Sequence, residues 1–452
     1  MVAPGRLPQF WEHRAIFVAN LLGLFFGNEE ETKMLADEVG EVDSYGGRLI
    51  PIVDLMFGGS GSNLLVLERD PDPALCRYFE ETAGLSLPDR CMLPHREYLQ
   101  IGKDLAEGRL PAHDLIESLA DHGARWVDGY VTDETLTELA EQLGKRTVSS
   151  AAGSRQGNNK RELHLFLESE GFPTVKTVLA ESKAEIGDAL EKLRKAGFSS
   201  GVIKAAIGAS GIGLVKVPSL ADAASVVEEI PEHFFYEGSC LVQGWLKPGE
   251  FGIVNLRSPS VQLFLDHETV ALYDMTEQIL SQDSVHEGNE APPPYLVSHP
   301  GVRSELLRQA GEAGRWLHRQ GYRGTGSVDF LVAESENGRS EVFVCEINAR
   351  VTGATYPSVL ARHFMPEGAW LLRNLRFEQP LTGEALLDLL RRSGDLFIPG
   401  QSEVGILPVN FNFGADGLVH KGQFLCLAHS PAGSHVLLEM AELDLPCRPD
   451  RD

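Results

Sequence analysis

Apolar residues in the first third of the chain come in short runs separated by helical patterns. A strand is predicted near Ala15–Ala19, followed by apolar runs at Leu49–Met56 and Asn63–Leu67 and by helical periodicity over Ala112–Asp121. Such alternation predicts βαβ units and a largely parallel sheet. The run AIFVANLLGLFF (Ala15–Phe26) follows Arg6 and Arg14 and so imitates a targeting signal. It carries Asn20, leads into Glu29, Glu30 and Glu31 without a small-residue cleavage site, and is too short to cross a bilayer of roughly 30 Å as a helix. It reads as a buried strand and its following loop. The glycines of MFGGSGSNLLV (Met56–Val66) lack a G-x-G-x-x-G spacing and read as a plain turn.

The pattern changes at KRTVSSAAGSRQGNN (Lys145–Asn159), which is polar and rich in Gly and Ser and predicts a linker or mobile loop. Asn159 with Glu162, and Ser182 with Glu185, have N-cap and capping-box spacing. They open two helices that Gly171 and Gly197 close. Short β-rich runs at Thr174–Leu179, Gly201–Ala205, Gly213–Val217 and Cys240–Gln243 complete a small α+β module. Longer strands follow at Gly252–Leu256, Val261–Phe264 and Thr269–Tyr273, then a helix with Leu306, Leu307, Ala310, Ala313 and Leu317 on one face.

The stretch GTGSVDFLVAESENGRSEVFVCEINARVTG (Gly324–Gly353) carries chemistry. Two β-rich runs flank Asn337-Gly338, the dipeptide that favours a two-residue hairpin turn, and such a turn puts Asp329 directly opposite Glu346. Opposed residues have Cβ atoms about 4.5–5.5 Å apart, and the period of two places Glu346, Asn348 and Arg350 on one face. Paired carboxylates repel unless something positive sits between them. Solvation of both faces is excluded by Phe330, Leu331, Val342, Phe343, Val344 and Ile347. Two carboxylates and an amide suit Mg²⁺, which keeps waters and takes further ligands from phosphates.

Two lysines join this picture. GVIKAAIGASGIGLVKV (Gly201–Val217) predicts strand, glycine loop and strand, with Gly208, Gly211 and Gly213 at the bends and Lys204 inside an apolar strand, where an ammonium needs an anionic partner. It is not a Walker motif. Lys160 adds charge to a helix N-terminus already suited to phosphate. Farther on, a strand ends at Gln243, and a Pro-Gly turn separates it from Glu250.

Composition narrows the ligand. The 452 residues include 40 Lys and Arg against 65 Asp and Glu, a net charge of −25, and 43% are hydrophobic. This is a globular chain of about two to four domains. The acidic balance argues against general binding to nucleic acid or anionic membrane, so a polyanionic ligand must be held by a local cationic site. Six scattered cysteines without a C-x-x-C point to a reducing, cytoplasmic location and no structural zinc.

Taken together, these motifs resemble the ATP-grasp superfamily over about Lys160–Gly353. Within it, the FVAN strand and the EINARVTGATYP run are most similar to the pheganomycin-type peptide ligase of actinobacterial peptide-antibiotic biosynthesis. The resemblance implies an α/β and α+β chain: a pre-ATP-grasp βαβ domain (1–145), the two subdomains of the grasp (146–243 and 244–375) and a C-terminal β-rich segment (376–452). It implies that Lys160 and Lys204 contact ATP phosphates under the loop of Gly208, Ser210, Gly211 and Gly213. Gln243, Gly244, Trp245 and Leu246 would meet adenine, and Glu250 the ribose. Asp329, Glu346 and Asn348 would hold Mg²⁺, and Arg350, with Lys204, would be catalytic. Gln243 stands where an acid is common. Ser327 stands where D-alanine ligases carry an arginine, which disfavours that reaction.

The implied activity is ADP-forming ligation of an unusual amino-acid carboxylate to a peptide or amino-acid amine through an acyl-phosphate, with a homodimer as a possible assembly. His286, Glu287, Asn289, Thr352 and Gly353 are the substrate candidates, and a solvated loop histidine is the plainer reading of His286. A dipeptide-forming amino-acid ligase, a carboxylase or acyl kinase, and a catalytically dead nucleotide-binding regulator are the alternatives. The missing biotin-type Met-Lys-Met weakens the carboxylase; retention of both lysines, the metal-ligand types and the arginine argues against the regulator.

Overall fold

A computed structural model describes residues 7, 10–39, 43–109, 114–209, 211–280 and 286–447. Ser210 and the side chain of His286 lie outside what it describes. The first sheet is parallel, in the order β3-β2-β1-β4-β5, built from β1 (Ala15–Val18), β2 (Leu64–Leu67), β3 (Asp89–Met92), β4 (Trp126–Gly129) and β5 (Arg146–Thr147). Its central strands β1 and β2 are apolar throughout because both of their faces are covered, whereas the edge strands β3 and β5 carry Asp89, Arg90 and Arg146. Ile16, Val18, Leu64 and Val66 enter one core, while Ala15, Phe17, Leu65 and Leu67 enter another.

The second sheet is antiparallel, in the order β6-β9-β7-β8, from β6 (Thr177–Ala180), β7 (Gly201–Lys204), β8 (Leu214–Val217) and β9 (Cys240–Gly244). Ile186, Ala189, Leu190 and Leu193 of helix Lys183–Lys195 pack on it with Ile203 and Val242. Nine strands form the third sheet: β10 (Ile253–Arg257), β11 (Pro259–Leu265), β12 (Val270–Leu280), β13 (His286–Ala291), β14 (Gly324–Ser335), β15 (Ser340–Asn348), β16 (Ala369–Leu381), β17 (Gly405–Phe413) and β18 (Val419–Ala428). β10 and β11 share one edge of β14 and β15 holds the other.

Two expectations change. Lys145–Asn159 is not a linker. Ser150 caps a helix, Ala151–Gly157, by accepting from the Gly153 amide at 3.0 Å. Its small residues permit close packing: a Cβ on Gly157 would lie 2.4 Å from Leu317 and 2.5 Å from Ala349. Low side-chain volume, which resembles a loop in sequence, here serves a tight helix contact. Nor are residues 376–452 a separate segment. β16 runs through the expected boundary at 375/376, and β17 and β18 continue its sheet. Phe377, Phe424 and Leu425 share the core of Phe17 and Leu65 from the first sheet.

Candidate functional site

The hairpin β14–β15 carries the carboxylates, and Asp329 pairs with Glu346 as expected. The route to that register differs from the expected one. Ser335 donates to the Arg339 carbonyl at 2.8 Å, so the loop has three residues, Glu336–Gly338, with Gly338 at φ +75°. The extra residue shifts the pairing by one, giving Phe330 opposite Val344, and a bulge at Cys345 restores Asp329 opposite Glu346. The bulge thus re-aims Glu346 and Asn348 at the Asp329 face.

Asp329 accepts from Ser260 Oγ at 2.6 Å, Ser327 Oγ at 3.1 Å and Asn348 Nδ2 at 3.0 Å. Burial and the facing Glu346 push its pKa up to about 6. Burial acts on Glu346 in the same sense, but Lys160, Arg350 and Lys204 outweigh it and hold Glu346 below its ordinary value. Of the pair, Glu346 is therefore the first to ionise as pH rises.

Lys160 Nζ lies 3.0 Å from Glu346 Oε2 and 3.1 Å from the Gly208 carbonyl, tying the glycine loop to the hairpin. Asn159 places it, accepting from the Arg161 and Glu162 amides to cap helix Lys160–Ser169. Lys204 ends β7 and donates to Gln243 Oε1 at 2.9 Å, while burial pushes its pKa down. Gln243 in turn donates to Thr177 Oγ1 at 2.9 Å. Gly211 and Gly213 have φ of +86° and +77°, which only glycine adopts without strain.

The strand after Gln243 is largely engaged. The amides of Gly244 and Trp245 donate to Lys176 and Ser200 carbonyls, and the Trp245 ring sits under Lys216 Nζ at 5.3 Å. Glu250 stands in a strained turn whose neighbour Phe251 has φ +52°. Its Oε1 meets Ser199 and Lys247, and its buried Oε2 has no partner among the described residues.

Arg350 follows β15. Among the described residues its guanidinium donates only to the Val351 carbonyl, at 3.4 Å, and it acts electrostatically on both Asp329 and Glu346. Thr352 reaches toward Gln262 Oε1 at 3.4 Å, and Gln262 donates to Ser260 at 2.9 Å, so a polar chain links Thr352 to Asp329. Gly353 lies in the turn before helix Thr355–Phe364. Glu287 is the extra residue at a bulge in β13, between His286 and Gly288, and Asn289 beyond it marks one face of the strand. Through the pairs Asn289–Gln278, Thr276–Ser260 and Ser260–Asp329 it is the face of the carboxylates, but three strands away, roughly 14 Å. Glu287 meets Arg373 at 3.5 Å.

Ser260, Gln262 and Arg48 were not anticipated. The available signal for Arg48 was a lone cation at the head of an apolar run. Among the described residues no group of three or more His, Cys, Asp or Glu side chains is arranged to hold a metal by itself. The hairpin offers two carboxylates and an amide. Burial first, and then the facing Glu346, disfavour the charge on Asp329, and a hard divalent cation would offset both, so these residues fit Mg²⁺ with its other ligands drawn from phosphate and water. A cavity of about 710 Å³ lined by Arg362, Met365, Glu367 and His429 is formed by other residues, none of them among these. No helix among the described residues is long and apolar enough to cross a membrane.

No family model matches the chain. It is 26% identical over 269 residues to a [butirosin acyl-carrier protein]–L-glutamate ligase of Niallia circulans, a match spanning 58% of this chain and 61% of the relative. The structure resembles the biotin carboxylase domain of Hydrogenobacter thermophilus 2-oxoglutarate carboxylase, solved with MgADP and bicarbonate (TM-score 0.59, 13% identity, 97% of this chain and 91% of that one). It also resembles an N5-carboxyaminoimidazole synthase from Aspergillus clavatus, solved with ADP and 5-aminoimidazole ribonucleotide (TM-score 0.52, 13% identity, 96% of this chain and 100% of that one). Both likenesses extend over nearly the whole chain and include its first sheet and its C-terminal strands.

Proposed function

We propose that this chain, which has the ATP-grasp fold, is an ADP-forming carboxylate–amine ligase. The observation that carries the reading is the convergence of Lys160, Lys204 and Arg350 on Asp329, Glu346 and Asn348. Lys160 and Lys204 neutralise the phosphates of ATP, and Asp329, Glu346 and Asn348 hold Mg²⁺, which when bound supplies charge stabilisation to the transferring phosphoryl group. Glu250 Oε2, buried and free, accepts from a ribose hydroxyl. The Leu246 amide and its neighbouring carbonyls remain for the adenine edge.

A carboxylate oxygen of the donor bonds to the γ-phosphorus as the bond to ADP breaks. An amine then attacks the acyl carbon, Arg350 stabilises the oxyanion, and phosphate leaves as the amine loses a proton. The glycine loop over Lys160 excludes water that would hydrolyse the acyl-phosphate. We assign residues 1–145 the role of substrate platform, 146–243 that of lid, and the nine-stranded unit from 244 onward that of the metal-bearing half, whose strands β16, β17 and β18 form the acceptor wall. The donor is an amino acid and the acceptor a peptide amine, as in natural-product peptide ligation. A carrier-protein acceptor is the second reading, favoured by the Niallia circulans relative. Incubation with Mg-ATP, amino acids, peptides and an acyl-carrier protein, with ADP, phosphate and product mass measured, tests this. AMP and pyrophosphate in place of ADP would overturn the acyl-phosphate route.

A further inference from the structure

Arg48 stands in the short helical turn Gly47–Leu49 of the first third and is only 8% exposed. A guanidinium has five N–H donors and stays charged at any physiological pH. Among the described residues Arg48 makes no ion pair and donates no hydrogen bond, and its Nε is enclosed without a partner. Its contacts are aromatic: it lies 4.4 Å from the centre of the Tyr45 ring and 5.4 Å from that of Tyr356. The acid in its neighbourhood, Asp43, is engaged by Lys421 at 3.1 Å and Asn412 at 3.2 Å. Rings on the faces of a guanidinium leave its edge, where the N–H groups point, free for a planar acceptor with two oxygens.

The place of Arg48 relates it to the reaction centre. Tyr130 senses both Arg48 and Arg350, and its carbonyl accepts from the Val351 amide at 3.1 Å. Tyr356 belongs to the helix that follows Thr352 and Gly353, and its hydroxyl accepts from Gln423 at 3.0 Å. Among the described residues neither guanidinium has a carboxylate in hydrogen-bond contact, and both act electrostatically on Tyr130, Arg350 from beside the metal-binding carboxylates and Arg48 from the first-third side.

We infer that Arg48 binds a second carboxylate of the acyl donor, which is therefore a dicarboxylic amino acid or an analogue: the reacting carboxylate lies by Arg350 and the other meets the edge of Arg48 between Tyr45 and Tyr356. This rests on the ligase reading above. Thermal-shift titration tests it without turnover, comparing L-glutamate, L-aspartate and 2-aminoadipate with L-glutamine and L-asparagine, alongside a non-hydrolysable ATP analogue. A dicarboxylate is expected to bind about 10- to 100-fold more tightly than its amide, the worth of a charge-assisted pair. Arg48→Met should erase that preference and leave binding of the ATP analogue unchanged. If Arg48→Met does not fold, Arg48→Lys, which keeps charge but lacks the fork, should weaken the same preference. No preference in the wild-type protein, or one that survives substitution with only a fall in Tm, would make Arg48 a structural cation and overturn the inference. Loss of nucleotide binding or of amine-dependent ADP formation in the wild-type protein would instead sink the ligase reading.

Discussion

Arg362 and Arg48 are 5% and 8% exposed, and the two regions treat the same buried charge in opposite ways. Arg362 donates to Asp274 Oδ1 at 2.9 Å and to the carbonyls of Pro366 and Gly368, leaving only Nε without a partner. Asp274 is further held by Trp370 Nε1 at 3.0 Å and the Met275 amide at 2.9 Å. That cluster gives the buried guanidinium a carboxylate partner and joins helix Thr355–Phe364 to β12 and β16. Around Arg48 and Arg350 the donors remain open. A buried charge with its partners in place is a structural joint, whereas one without them is free to bind a ligand.

The largest effect expected from this contrast is at the joint. Arg362→Met leaves Asp274 buried and unpaired and should destabilise the fold by about 3–5 kcal/mol, read as a fall in the midpoint of denaturant unfolding. A small change there would mean that the ion pair with Asp274 is not what holds the joint. Next comes Arg350→Ala, which should lower kcat by on the order of 10²–10³ while leaving stability near wild type. Unchanged turnover would remove Arg350 from the chemistry and blur the contrast.

Glu277 extends the comparison to acids. Its Oε1 accepts from the Ser258 amide at 2.8 Å, its buried carboxyl faces the Tyr295 hydroxyl, and burial pushes its pKa from 4.5 to about 7. Between those values the unfolded chain ionises and the folded chain does not, so stability falls as pH rises through the window and the penalty persists above it. Glu277→Gln should therefore stabilise by ~1–3 kcal/mol at alkaline pH and have no effect in acid below the window. Unfolding curves at the two pH extremes check the sign. The smallest effect is at Glu250→Gln, where loss of one acceptor should raise KM for ATP by about 2- to 10-fold without altering kcat.

The parallel first sheet, the capped helix behind Lys160 and the opposition of Asp329 and Glu346 were legible because each follows from local rules: apolar runs, N-cap spacing and the period of a strand. The opposition of the acids emerged at the right register by compensation, since a three-residue loop and a bulge at Cys345 offset each other. Local pattern cannot distinguish these, because a loop and a bulge each add one residue without changing which faces are apolar. The helix Ala151–Gly157 read as a linker for a related reason. Small residues lower the apparent helical signal, while the benefit of close packing depends on Leu317 and Ala349, far along the chain.

The sequence by itself determined which residue types stand at which strand positions, and with them the acids, amide, lysines and arginine of the cleft. Only the tertiary structure decided which charges are satisfied. Asp274, Arg362 and Trp370 lie 88 and 96 positions apart and close on one another, as Arg48 and Tyr356 meet across the fold. Pairing of a buried charge is a property of distant neighbours, set when the sheets pack, and it separates the joint from the site.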